Sequence, residues 1–233
     1  MQELDSKIDQ LRHQLASLPE HAEIAALTSS RADLDDRVRD AQILVDDLST
    51  DQKKADADVE QVKARRERDR SRIDQGLITN PKDLERMQHE LVSLERRITT
   101  LEDEEIEVME RLEEAQTTLE SLVGQRTAAD DRLAMLAKAR DEKSVEIRDS
   151  LESVTSERAT MAEGLPTDLM TLYERIRAQR GVGAAPLRAR QCGGCQLTLN
   201  PADLARIKAA PSDEVVRCEE CSRILVRTSE SGL

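Results

Sequence analysis

The sequence predicts a mainly α protein: a long antiparallel coiled-coil helical hairpin followed by a small C-terminal β zinc ribbon. Three observations predict it. Apolar residues recur every three or four positions from Leu4 to Met161. There is no Trp, no Phe and one Tyr in 233 residues, so the apolar surface forms a thin seam of Leu, Ile, Val and Ala and not an aromatic-rich globular core. All four cysteines lie in two short stretches, QCGGC at 191–195 and RCEEC at 217–221.

The first element is a short helix. Leu4, Ile8, Leu11, Leu15 and Leu18 step by four and three along one face. Pro19 lacks the amide that a helix interior needs, so a kink or short break is expected near residue 19. Beyond it the phase shifts. Leu27, Leu34, Val38, Ala41, Val45, Leu48, Ala55, Val59, Val62 and Ile73 hold a new register. Such a stripe, sustained over many heptads, has to be covered by another helix.

DQGLITNPKDLE at 74–85 interrupts the rhythm. Gly76 can take the left-handed conformation that ends a helix. Asn80 suits an N-cap, Pro81 the first helical position, and Asp83 the free amides of the first turn. A second register then runs through Leu84, Met87, Leu91, Leu94, Ile98, Leu101, Val108, Leu112, Ala115, Leu119, Leu122, Ala129, Leu133, Leu136, Ile147, Val154 and Met161. The segments on the two sides of the turn are of similar length, so a fold-back lays them antiparallel. At about 1.5 Å per residue the arm would be on the order of 100 Å long. The competing arrangement is an intermolecular coil without fold-back. Residues 1–163 are expected to form the hairpin, with its tip at about 76–82.

Residues 164–233 make the second expected domain. Gly164 and Pro166 end the long helix. PTDLMTLYERIRAQRG reads as a short amphipathic helix, and GVGAAP at 181–186 as a flexible joint. The cysteines then come as C-x2-C, twenty-two residues, C-x2-C. Two residues between cysteines let both thiolates face one point, and two such knuckles offer a sulfur tetrahedron suited to Zn²⁺. Gly193 and Gly194 suit the turn because glycine tolerates positive φ. Strands are expected at 187–190, 196–199, 215–217 and 223–226, with a short helix after the Asn200-Pro201 cap. Against metal stand a redox dithiol, which belongs at a helix start in a βαβ unit, and a disulfide pair, which conflicts with a cytoplasmic location. A ribbon of this size buries little core, so one structural zinc would supply much of its folding energy.

The asparagine-containing tip (Asn80, Lys82, Asp83), the following LERMQHEL and the terminal CGGC…CEECSRILV carry a resemblance. The chain resembles the bacterial C4-type zinc-ribbon protein family with an N-terminal coiled-coil hairpin. That resemblance implies a zinc ribbon with Cys192, Cys195, Cys218 and Cys221 as ligands. Members are commonly labelled as nucleic-acid-binding proteins, and some are implicated as adaptors or chaperones in flagellar, secretion or transcription systems. Fold transfers within such a family better than role.

Charge points two ways. The net charge is −13, yet residues 163–233 carry ten basic and nine acidic side chains, so the excess belongs to the coil. VKARRERDRSR at 62–72 is basic, and a second basic group surrounds the ribbon entrance. Lys63, Arg65, Arg68, Arg70, Arg72, Arg188 and Arg190 are therefore candidate phosphate contacts, whose binding would be sensitive to salt. In the coil's register, Lys63, Arg65, Arg70 and Arg72 also flank the seam, where ion pairs across the coil are their ordinary use. Glu90 and Glu95 face them. Four cations against two anions leave positive charge over. The ribbon has no aromatic residue on which to stack unpaired bases. Leu77, Ile78, Asn80 and Lys82 are candidate partner contacts at the tip.

The expected protein is a cytoplasmic, non-enzymatic adaptor or chaperone-like binding protein, with salt-sensitive, weakly sequence-specific RNA or DNA binding as the alternative. No membrane insertion and no small-molecule substrate are expected. No apolar run approaches a membrane span. There is no nucleophile–base arrangement and no phosphate-binding glycine loop.

Overall fold

The structure is a computed structural model that describes residues Met1–Leu233. Eight elements follow in order: α1 (Gln2–Ala16), α2 (Pro19–Asp74), α3 (Pro81–Glu163), α4 (Thr167–Arg180), β1 (Ala184–Arg188), β2 (Gln191–Cys192), α5 (Pro201–Ala209) and β3 (Ile224–Val226). The chain divides into two compact units. One joins Met1–His21 to Lys138–Leu233, and the other is Ala22–Ala137. No helix is long and apolar enough to cross a membrane.

The Ala22–Ala137 unit is the antiparallel hairpin. Its ion pairs fix the direction: Glu23 with Arg132 (3.6 Å), Arg31 with Asp130 (2.8 Å), Lys63 with Glu102 (2.8 Å), and Arg66 with Glu95 (2.9 Å). As the first number rises, the second falls. The predicted seam is the buried one. Leu48 and Val59 of α2 and Leu94, Ile98, Leu101, Leu112, Ala115, Leu122, Ala129 and Leu136 of α3 are all buried. Leu48, Leu112 and Ala115 pack together with Val45 alongside. Gaps in the apolar rhythm are polar residues on the same stripe: Arg66, Asp69, Glu105 and Arg126 are half-buried.

The fold-back is a Schellman motif. Gly76 takes φ +67°, its N–H bonds to the Ile73 carbonyl (3.0 Å), and the Leu77 N–H bonds to the Arg72 carbonyl (3.1 Å). This pairing satisfies the orphan carbonyls at the end of α2. Asn80 caps α3: its Oδ1 accepts from the Lys82 amide at 3.1 Å, as an N-cap does.

In the other unit the expected break near Pro19 is present. Ser17 terminates α1, with both its amide (2.9 Å) and its hydroxyl (2.7 Å) bonded to the His13 carbonyl. Pro19 opens α2, where no amide is missed. Met161 departs from the expected seam and is 43% exposed. There α3 turns Arg158 toward Asp5 (3.0 Å), so a polar cluster replaces the apolar stripe.

The sheet order is β2-β1-β3. β1 and β2 are antiparallel, with Leu187 opposite Cys192; β1 and β3 are parallel, with Ala184, Ala185 and Pro186 opposite Ile224, Leu225 and Val226. Two expectations need correction. GVGAAP is not a free joint: Gly181 (φ +74°) ends α4, and from Ala184 onward the segment is strand. Gly183 has no room for a side chain, since a Cβ there would lie 2.7 Å from the Tyr173 ring. The segments 196–199 and 215–217 form only single bridges, Gln191–Thr198 and Arg217–Ile224. The left-handed turn at Gln196 (φ 62°) leaves too few extended residues for a ladder.

Candidate metal centre

Each cysteine pair is built by the same local hydrogen bonds. In the first knuckle the Gln196 amide donates to the Cys192 carbonyl (2.7 Å), and the Cys192 amide to the Leu197 carbonyl (3.0 Å). In the second, the Ser222 amide donates to the Cys218 carbonyl (2.8 Å), and the Cys218 amide to the Arg223 carbonyl (3.0 Å). The residue after each second cysteine turns left-handed: Gln196 at φ 62° and Ser222 at φ 64°. The expectation that Gly193 and Gly194 supply positive φ is therefore corrected. They are small for want of space. A Cβ on Gly193 would lie 2.8 Å from the Pro186 carbonyl oxygen, and one on Gly194 would lie 2.5 Å from Cδ of Arg223.

β1 and β3 bring the knuckles face to face. The four sulfurs lie within 4.8 Å of one another. Cys192 and Cys221 Sγ are 3.8 Å apart, and Cys195 and Cys218 Sγ are 3.9 Å apart. Zn–S bonds of about 2.3 Å in a tetrahedron place sulfurs about 3.8 Å apart, so the donor set fits zinc. The separations are far too long for disulfides, and all four thiols are free. Cys192, Cys218 and Cys221 are buried in a small core with Ala185, Leu187, Leu199, Ile207 and Leu225.

The metal-free thiols differ. Burial pushes Cys218 up to about 12 and raises Cys192. Burial also acts on Cys221, but the Arg223 amide and side chain donate to it and bring it down to about 7. Zinc bound here would deprotonate the thiols and tie the two knuckles into one body. Four thiolates complete its tetrahedron, which is the pattern of a structural site.

The basic candidates divide into two groups. Lys63 pairs with Glu102, Arg65 with Glu90, and Arg66 with Glu95. Arg68, Arg70 and Arg72 are exposed and make no ion pair within 4.0 Å, so they are the cations left over. At the ribbon, Arg188 pairs with Glu230 (3.2 Å) and Arg190 donates to the Gly232 carbonyl (3.1 Å). At the tip, Leu77 is 64% exposed, Ile78 is half-buried, Lys82 is exposed and Asn80 is occupied as the cap.

Sequence reasoning missed a second polar centre. Gln2, Asp5, Arg158, Tyr173 and Arg177 meet although they are up to 175 positions apart. Nothing in the spacing of these residues announces that. It missed Arg223 and Arg227 as well. Arg227 gathers the carbonyls of Ile207 (3.3 Å) and Ala210 (2.6 Å) around the end of α5. An arginine beside a knuckle was the only available signal.

The chain matches known families over most of its length. Residues 1–181 match the CT398-like coiled coil hairpin domain, and residues 191–225 match the C4-type zinc ribbon domain. An uncharacterized protein of Mycobacterium tuberculosis is 38% identical over 226 residues, covering 96% of this chain and 91% of the relative. An uncharacterized protein of Mycobacterium leprae is 27% identical over 224 residues, covering 96% of each. A solved structure from Mycobacterium smegmatis superposes with a TM-score of 0.81 at 32% identity, over 97% of this chain and 94% of that one. CT398 from Chlamydia trachomatis superposes with a TM-score of 0.66 at 21% identity, over 97% and 94%, and shares the fold. With both modules matched and the four sulfurs at zinc-binding separations, the chain belongs to the family of CT398-like coiled-coil hairpin proteins that carry a C4-type zinc ribbon.

Proposed function

We propose that this protein is a non-enzymatic adaptor or chaperone-like binding protein that engages a protein partner through the tip of its hairpin. The observation that carries this reading is Leu77. In a Schellman motif the residue after the glycine usually packs back on the last turn of the helix. Here the residue it would meet is Arg72, and Leu77 stays 64% exposed. Around it, residues 62–90 hold eight Lys and Arg against six Asp and Glu, in a chain whose net charge is −13. Arg68, Arg70, Arg72 and Lys82 are free of ion pairs. An apolar contact rimmed by unpaired cations suits a protein surface with an apolar socket and carboxylates at its edge. A partner role within transcription or assembly of a larger machine is consistent with this reading.

Cross-linked capture of partners with the zinc-loaded protein tests it. A specific protein should be recovered by the native chain and lost with Leu77→Ser plus Ile78→Ser. Equal recovery with the double variant removes the tip from the reading.

The three unpaired arginines also favour a second reading, backbone-directed binding of nucleic acid. Binding to random RNA or duplex DNA should then fall steeply with salt, and Arg68→Glu, Arg70→Glu and Arg72→Glu together should abolish it. No binding at low salt leaves the protein partner as the use of those cations.

A further inference from the structure

We infer that the zinc centre controls whether the ribbon stays docked on the helical base formed by α1 and α4, and that Arg223 is the positioning residue through which it does so. Cys221, Ser222, Arg223 and Ile224 are consecutive, and each has a separate task. Cys221 is a zinc ligand. Ser222 turns left-handed and sets the direction in which the chain leaves the knuckle. The Arg223 stem lies against Gly194 of the opposite knuckle, so its course depends on the two knuckles being held together. Its guanidinium then leaves the ribbon, with Nε on the Val182 carbonyl (3.1 Å) and Nη2 on the Arg180 carbonyl (3.0 Å). Arg180 is the last residue of α4, where a cation is also favoured by the helix dipole, and Val182 lies just beyond the Gly181 cap.

Ile224 completes the join. Its amide bonds to the Gly183 carbonyl (3.0 Å), and its side chain is buried with Tyr173 and Ile176 of α4. On the far side of Tyr173, Gln2 of α1 spans the same seam. Its Oε1 accepts from the Gly183 amide (2.8 Å) and the Ala184 amide (3.2 Å) and lies 3.0 Å from the Tyr173 hydroxyl oxygen. The ribbon thus touches the base through a few groups gathered around one tyrosine, and the segment that carries half of them begins at a zinc ligand.

The ribbon's own core is too small to hold that segment without metal. Three of its eight buried members are zinc-binding cysteines. Removing zinc leaves thiols where the module had its crosslink, and the two knuckles separate. Arg223 then loses the surface that aims it, and Ile224 loses its place against Tyr173. Coupling of this kind is reciprocal: whatever zinc contributes to docking, docking contributes to zinc retention.

Tyr173 is the only Phe, Tyr or Trp of the chain, and it lies where Ile224 and Ala184 of the ribbon meet α1 and α4, so its fluorescence reports on that junction. In the native full-length protein, acrylamide should quench it weakly when zinc is bound and several-fold more strongly after chelation. Readdition of zinc should restore the shielding. Zinc release to a chromogenic chelator should be several-fold faster in Arg223→Gln, and also in Gln2→Ala, which leaves the ribbon's sequence untouched. Equal shielding of Tyr173 with and without zinc overturns the inference. So does a native rate of zinc release from Gln2→Ala, which remains informative if Arg223→Gln fails to load zinc.

Discussion

Asp5 is a carboxylate only 1% exposed, and its neighbours explain how it can be so. The Tyr173 hydroxyl donates to it at 2.6 Å, Arg158 Nε lies at 3.0 Å, and Arg177 Nη1 at 3.1 Å. Removing the charge from such a site leaves two arginines facing an amide, so Asp5→Asn should cost about 3 kcal/mol, read from thermal unfolding of the base. Tyr173 feels the same site in reverse. Burial first, and then the hydrogen bond to Asp5, hold its hydroxyl well above the usual tyrosine range. The unfolded tyrosine ionises near about 10 while the folded one does not, so the unfolded state binds fewer protons above that pH. Stability from this group is therefore complete below about pH 10 and is lost as pH rises beyond it. Spectroscopic titration should show Tyr173 ionising only as the protein unfolds in alkali. Tyr173→Phe should cost about 1–2 kcal/mol at neutral pH and flatten the alkaline slope.

At the scale of the element, the tip turn is a conformational device with no packing behind it. Nothing lies within 4 Å of a Cβ placed on Gly76, and its φ is +67°. Gly76→Ala therefore isolates the cost of the left-handed backbone, about 1–2 kcal/mol, and should lower the melting temperature of the hairpin without altering its helicity. The helices themselves owe little to local propensity and much to their shared seam. That is why polar residues such as Arg66 and Asp69 are tolerated on the stripe: neighbouring apolar layers hold the register, and Glu95 meets Arg66 at 2.9 Å. The short strands are the opposite case. β2 has two residues and β3 three, so neither would persist without the sulfur cluster beside it.

For the whole molecule, the two modules draw on different sources of stability. The hairpin buries a long apolar stripe, and the ribbon closes on metal. Chelation should abolish the ribbon's order while leaving the far-ultraviolet helical signal of Ala22–Ala137 nearly unchanged. Loss of the coil signal on chelation would show that the hairpin also depends on zinc. Charge is divided in the same way. The coil carries the negative excess, while Arg68, Arg70, Arg72 and Lys82 near its tip are exposed and free of ion pairs.

Much of this was legible in the chain. The heptad rhythm located the seam as far as Val154, because burial on a helix recurs with a fixed period. Gly76, Asn80 and Pro81 marked the fold-back, because each suits one backbone position. The four cysteines marked the metal centre, because C-x2-C spacing is a local geometry. The sequence could not supply the contacts made after folding. Gln2 reaches Gly183, and Asp5 reaches Arg158 and Tyr173, across separations that no periodicity encodes. Likewise, only the folded structure decided that Gly193 and Gly194 are required for space, that GVGAAP enters a strand, and which arginines remain unpaired. Periodic and local features arise from the chain's own geometry. Contacts between distant segments depend on where packing brings those segments, and that is a property of the tertiary structure.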